Sequence, residues 1–332
     1  MALTFRIVTA ILFSMKSELS QYEYEILDKL GTGKLGEEIY IGFDPNLNQQ
    51  VMIRMLPASM ISDSGTYQRF MQGAKLNASL QHPNIQIAYK AGQCEDGNIF
   101  LVTRFEDGLF LNDYLVKYGK ITEKEALNLI IPIADALNYA WETKKVIHRN
   151  ISPETIFITK DERPLLTDFG IAKTKSYTAT DTVKGVIMGN PQYMSPEQVK
   201  ADKEMDFQSD MYCLGLIFYE MLAGHPVFKA DTFAKLMEMQ ERGQHPDLKH
   251  KAPWLSEGCI STINKMLEKK KNRRHASWKD LISELKKLNG GMEATSELKS
   301  TDTTISQMKI SSPTGRIREF ATLMLSKLKK NG

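Results

Sequence analysis

Three cysteines in 332 residues, Cys94, Cys213 and Cys259, are too few and too scattered for a disulfide framework. No Cys-x-x-Cys pair occurs and the histidines lack ligand spacing, which excludes a zinc ribbon and a dithiol redox centre. The expectation is buried, reduced thiols in a cytosolic protein. No apolar run approaches the roughly 20 residues that a membrane-spanning helix needs. Charge of one sign is also missing: 43 Lys and Arg against 40 Asp and Glu leave a formal +3. That balance gives no electrostatic footprint for nucleic acid as an obligatory partner. No internal repeat is visible. Apolar residues make up 42 %, enough to bury the core of one two-lobed domain with tails.

The N-terminus carries a short apolar stretch, Ile7 to Phe13, flanked by Arg6 and Lys16. It is too short to span a bilayer, and Phe13-Ser14-Met15 is a poor cleavage site. No processed signal is expected, and Met1 and Met15 both stand as starts.

From Tyr24 to about Leu56, apolar and polar residues alternate around a glycine cluster, which reads as strand, turn, strand, strand. Ser64 to Leu80 has helical periodicity and stops near His82-Pro83. Ile85 to Phe105 reads as two strands. Glu123 to Thr143 repeats apolar residues at helical spacing (Ala126, Leu127, Ile130, Ile131, Ala134, Leu137). Short strands follow near Ile156–Ile158 and Leu165–Leu166, and helices then dominate to Leu288. A strand-rich first part and a helix-rich second part predict two lobes with a cleft between them. The expected segments are 1–21, an N-terminal segment; 22–106, a small lobe; 107–288, a large lobe; 289–313, a flexible linker beginning at Asn289-Gly290-Gly291; and 314–332, a basic amphipathic helix. In that helix Ile317, Phe320, Ala321, Met324 and Leu328 share a face ringed by Arg316, Arg318, Lys327, Lys329 and Lys330. It reads as docking on its own domain or a partner, with peripheral membrane contact through 314–330 as the sharper alternative.

Chemistry-bearing motifs come in a fixed order. Gly31-Thr32-Gly33-Lys34-Leu35-Gly36 lies between two predicted strands, where glycines allow backbone to approach phosphate. Strands follow it, which disfavours a dinucleotide-binding unit. Val51-Met52-Ile53-Arg54 puts a cation on a strand. Then come His148-Arg149-Asn150 with Thr155 five residues later, Asp168-Phe169-Gly170, and Ser195-Pro196-Glu197. Each is weak alone; their order and spacing together are strong.

With these segments, and with His82-Pro83-Asn84-Ile85, Gly189-Asn190-Pro191-Gln192-Tyr193-Met194, Ser209-Asp210-Met211-Tyr212 and the Arg274 region, the chain resembles the bacterial eukaryotic-like serine/threonine protein kinases from about Tyr22 to Leu288. The resemblance implies an α+β, bilobal fold: a β-rich small lobe with one main helix, and a mostly helical large lobe. It maps the hinge to Arg104, Phe105, Glu106 and Asp107, with Thr103 guarding the back pocket. It also implies ATP and magnesium, held through Gly31, Gly33, Gly36, Met52, Arg54 and the hinge, with Asp168 and, more weakly, Thr155 as metal ligands.

The chain departs from the family where chemistry is done. The lysine that holds nucleotide phosphates is Arg54, a longer planar fork. The helix glutamate that orients it is Gly73, and Thr66 to Leu80 contains no acid, so Arg54 is expected to lack its orienting partner. The catalytic aspartate is Asn150, which cannot take a proton, where a general base contributes about 10²–10⁴-fold. The lysine that steadies the transferred phosphate is Ser152, the magnesium-binding asparagine is Thr155, and the threonine that positions the catalytic aspartate is Asn190. Met52 stands where a small alanine covers the adenine. One extra residue between Gly36 and Tyr40 brings Glu37 and Glu38 to the phosphate-covering turn. There they either repel phosphate or point to solvent. Scaffold positions match: His148 and Arg149 serve the spine and activation segment, Phe169 and Gly170 organise the core, Glu197 is expected to pair with Arg274, and Asp210 to hold the His-Arg-Asn loop. Arg149 is the expected acceptor of a phosphate on Thr178, Thr180 or Thr182.

These departures lead to the expectation of a catalytically impaired pseudokinase, a cytoplasmic protein-binding or regulatory module whose partner is another protein, an active kinase among the candidates. ATP and magnesium are then bound weakly or not at all. The alternatives are a slow serine/threonine kinase using Mg–ATP, or a nucleotide-binding switch without turnover.

Overall fold

Strand β3 (Gln49–Leu56) sets the architecture of the first unit. Its residues alternate, so Val51, Ile53 and Met55 are buried on one face while Met52 and Arg54 stand half-buried on the other. In the computed structural model, which describes residues 24–33, 36–61, 64–174 and 189–300, β3 is the centre of a five-stranded antiparallel sheet. Its strands are β1 (Glu25–Thr32), β2 (Glu38–Asp44), β3, β4 (Ala88–Gln93) and β5 (Ile99–Arg104), in the order β1-β2-β3-β5-β4. Register places Arg54 opposite Ile39 and Leu101, and Met52 opposite Ile41 and Thr103. Val51, Ile53 and Met55 of β3 join Tyr24, Ile26, Tyr40, Cys94, Phe100 and Val102 in one cluster. A second cluster, Leu56, Ile99 and Leu101 with Phe70 and Ala74, seats helix α1 (Ser64–Ser79).

The chain divides into two compact units: one runs to Glu106 and includes Asp168–Ala172, the other holds the remainder. The second unit is mostly helical. Helix α2 spans Leu111–Tyr118 and α3 spans Glu123–Lys144. Thr122 and Glu125 cap α3 reciprocally: the Thr122 hydroxyl accepts from the Glu125 amide at 3.2 Å, and the Glu125 carboxylate accepts from the Thr122 amide at 2.9 Å. Its buried stripe includes Ala126, Leu127, Ile130, Ala134 and Leu137, as the periodicity predicts; Ile131 lies at the half-buried margin. Helix α4 (Phe207–Ala223) is buried on nearly every side and forms the axis of the unit. Helices α5 (Phe233–Arg242), α6 (Glu257–Met266) and α7 (Trp278–Ser300) complete it. Two short sheets, β6-β8-β9 (Gly108–Phe110, Ile156–Thr159, Pro164–Leu166) and β7-β10 (Val146–Ile147, Lys173–Thr174), flank the His148 loop.

Helix α7 differs from expectation. It runs through Gly290 and Gly291 to Ser300, where a linker starting at 289 is predicted. A helix already nucleated and packed upstream outweighs the roughly 1 kcal/mol cost of each glycine. The following Met292-Glu293-Ala294 and Glu297-Leu298-Lys299 are good helix formers. The N-terminal segment, Thr178, Thr180 and Thr182, and the 314–332 segment lie outside the described residues. All three cysteines are buried free thiols.

Candidate functional site

In the first unit the face of β3 that carries Met52 also carries Arg54, and Arg54 has a partner. Its Nε donates to Glu37 Oε1 at 3.1 Å, and its Nη2 donates to the same oxygen. Glu37 is 1 % exposed. This corrects two expectations: the guanidinium is oriented after all, and Glu37 does not point to solvent. Burial works against the Arg54 charge, but Glu37 and then Asp168 outweigh it and hold the group above its ordinary range. Glu38 behaves differently, bonding the exposed Lys29 and the hydroxyl of the buried Tyr40.

Gly33 lies against the Glu37 side chain. The Gly33 amide donates to the Glu37 carbonyl at 2.7 Å, and the Gly36 amide donates to the Gly33 carbonyl at 3.1 Å. A Cβ added at Gly33 would collide with the Glu37 carboxylate. Gly36 has φ +81°, a left-handed value glycine adopts without strain. Gly31 also has positive φ and pairs with Ile39.

Gly73 is a close approach rather than a bare deletion. A Cβ there would lie 2.9 Å from Gly170 Cα and 3.3 Å from the Phe169 carbonyl carbon. The backbone of α1 therefore rests directly on the Asp168-Phe169-Gly170 turn, and the Gln72 side chain donates to the Ala172 carbonyl. Phe169 is buried, and Asp168 takes φ +62°. Thr103 is fully buried, and its hydroxyl has no hydrogen-bond partner among the described residues. Arg104 donates its amide to the Ile87 carbonyl and pairs with Glu106 at 3.3 Å; Phe105 is half-buried.

In the second unit the His148-Arg149-Asn150 loop hangs from Asp210 on α4. Asp210 accepts from the His148 amide at 2.7 Å and the Arg149 amide at 2.9 Å. Complete burial raises its carboxyl to about 7, against the pull of those two amides and of the Arg149 charge. The Asn150 amide donates to His148 Nδ1 at 3.3 Å, leaving Nε2–H to donate to the Thr167 carbonyl at 2.9 Å. Arg149 has φ +66°, and burial lowers its pKa while Asp210 opposes.

Thr155 is spent inside this loop. Its hydroxyl bonds the Asn150 carbonyl at 2.9 Å and the Ser152 carbonyl at 3.0 Å, and accepts from the Ser152 amide at 3.1 Å. Ser152 is fully buried, with no partner for its hydroxyl among the described residues. Asn190 turns to its own segment, its Oδ1 accepting from the Gln192 amide at 3.1 Å to cap the turn Pro191–Tyr193. The bond to the His-Arg-Asn loop comes instead from Gln198, whose Nε2 donates to the Arg149 carbonyl at 2.7 Å. Glu197 meets Arg274 in a buried two-pronged pair, 2.8 and 3.3 Å. Arg274 also donates to the Glu268, Gln208 and Lys269 carbonyls.

Residues 24–285 match the family model described as the protein kinase domain. The chain belongs to that family. It is 30 % identical over 274 residues to the serine/threonine-protein kinase PknB of Mycobacterium tuberculosis, covering 81 % of this chain and 43 % of that protein. To the serine/threonine-protein kinase PrkC of Bacillus subtilis it is 30 % identical over 263 residues, covering 79 % and 40 %. To the serine/threonine-protein kinase pkn2 of Myxococcus xanthus it is 31 % identical over 278 residues, covering 82 % and 33 %. The chain thus spans less than half the length of these relatives.

As a kinase domain, this chain fits a magnesium–triphosphate poorly. The cation that would meet phosphate, Arg54, is held by Glu37. The Thr155 hydroxyl, expected as a weak metal ligand, is committed to three backbone groups. The negative field of Asp168 already acts on Arg54. Sequence reasoning missed two roles, Glu37 as the partner of Arg54 and Gln198 as the tie to Arg149. The extra residue after Gly36 was the available signal for the first.

Proposed function

We propose that this kinase-domain chain is a catalytically impaired pseudokinase that works as a protein-binding, regulatory module. One observation carries the reading. Where a base must take a hydroxyl proton stands the amide of Asn150, in a loop tied shut by the Thr155 hydroxyl and lined at Ser152 by a buried residue that brings no cation. The scaffold bonds of the same unit, Glu197 to Arg274 and Asp210 to the His148 loop, are intact. A domain that keeps its supports and lacks its proton acceptor suits binding better than turnover. A protein partner is favoured by exposed apolar side chains along both edges of the five-stranded sheet: Leu27 and Leu30 on β1, Ile87 and Tyr89 at β4. An active kinase is one candidate partner, and contact with a membrane surface through 314–330 is a further one. Three buried free thiols suit a reducing, cytoplasmic setting. No helix among the described residues is long and apolar enough to cross a membrane.

The test is phosphate transfer from magnesium–ATP to a generic basic protein. No transfer above background is expected. Transfer that disappears in Asp168→Ala would overturn the reading. It would support the second one, a slow serine/threonine kinase, which the names of the relatives and the retained Asp168-Phe169-Gly170 turn favour.

A further inference from the structure

We infer that Glu37 is a specificity-determining residue: a built-in anion that holds Arg54 in place of a ligand's phosphates and makes the small-lobe site reject polyphosphates. The argument begins with burial. A carboxylate that is 1 % exposed must be paired, because an unpaired buried charge is costly. Glu37 meets that need with the Arg54 fork, which is itself only 20 % exposed in its side chain. The guanidinium is thus engaged through both Nε and Nη2, the donors with which a fork grips a phosphate oxygen.

Position comes next. The carboxylate lies against Gly33, so close that a Cβ there would strike it, and the residue is reached from a turn whose amides bond back to its own backbone. The space that the glycine keeps open is filled from within the chain. Charge completes the case. Glu37, Asp168 and Arg54 sum to one negative charge, and both carboxylates act on the one cation. A polyphosphate reaches the Nε–Nη2 edge of Arg54 only by displacing Glu37, and elsewhere meets a guanidinium whose charge two carboxylates already offset. Helix α1 supplies no alternative partner for Arg54, since Gly73 abuts Gly170. The site therefore favours ligands without phosphates.

This deepens the proposed function yet stands on the first unit alone, and the two fail separately. The experiment is a thermal-melt titration of the full chain with magnesium–ATP and, separately, inorganic tripolyphosphate. A ligand that binds the folded state raises the midpoint as its concentration rises. The unmodified chain is expected to show no rise with either probe at millimolar concentration. Glu37→Gln is expected to gain a concentration-dependent rise with both, and Glu37→Gln with Arg54→Ala to lose it again. Glu37→Ala, which removes both the charge and the side chain lying against Gly33, is expected to gain the same rise, and it decides the matter should Glu37→Gln not fold. A rise in the unmodified chain equal to that of the variants overturns the inference, as does a folded variant with no gain. Polyphosphate binding without transfer overturns this inference and leaves the proposed function standing.

Discussion

Asp210 is the residue whose chemistry can be followed with pH. Its carboxyl is raised from 3.8 to about 7 by burial, although two backbone amides and Arg149 favour the charged form. The folded chain therefore binds a proton that the unfolded chain has released between those values. The stabilisation from this group is complete below about pH 4 and is lost as the pH climbs to about 7. Thermal melts of the wild type should lose roughly 1–3 kcal/mol from this source between about pH 5 and about pH 7.5. Asp210→Asn should be less stable throughout but should show a flatter profile across that window. Equal slopes for the two proteins would show that Asp210 does not titrate there. The role of Asp210 was legible in the sequence because it depends on a motif, Ser209-Asp210-Met211-Tyr212, whose surroundings keep their usual residues. The partner of Arg54 was not legible. A glutamate was sought on the helix, while the acid that pairs with it sits 17 residues away in a hairpin lengthened by one residue. Spacing shows that a residue has been inserted; only the folded hairpin shows which way its side chain turns.

The elements repeat this contrast. Helix α3 was readable almost to the residue, predicted at Glu123–Thr143 and observed at Glu123–Lys144, because a reciprocal cap and an apolar stripe agree. Helix α7 was not, because paired glycines look like a stop and the propensity beyond them was given too little weight. Helix α1 was found by its periodicity, but the reason for its glycine is tertiary. Replacing Gly73 by alanine should raise intrinsic helix preference by about 1 kcal/mol. Against that, the new methyl would sit 2.9 Å from Gly170 Cα and 3.0 Å from Gly170 N. These neighbours are backbone atoms that cannot rotate away, and overpacking costs about 1–3 kcal/mol. Gly73→Ala should therefore be destabilising by up to about 2 kcal/mol in a denaturant titration. Lys75→Ala, on the exposed side of the same helix, should lie within about 0.5 kcal/mol of wild type. A Gly73→Ala protein more stable than wild type would mean that the helix does not press on the Asp-Phe-Gly turn.

For the whole molecule, the departures fall in both compact units and concern different steps. On the proposed reading, Glu37 in the first unit occupies the cation that phosphate would use, and Asn150 in the second stands where a proton acceptor is needed. Effects of groups that serve one reaction are not additive, since a base has nothing to act on without a bound donor, and a bound donor is inert without a base. Three proteins separate the two steps. Asn150→Asp alone should neither respond to magnesium–ATP in a melt nor transfer phosphate. Glu37→Gln alone should gain the melt response and transfer phosphate only at the background rate. The double variant should show both, with transfer exceeding that of Glu37→Gln by part of the roughly 10²–10⁴-fold that a positioned base contributes. A double-mutant cycle would then place the gain in the coupling between the sites rather than in either change. Transfer by Asn150→Asp alone would mean that Arg54 is open to phosphate in the native chain, and that its bond to Glu37 is loose enough to be exchanged.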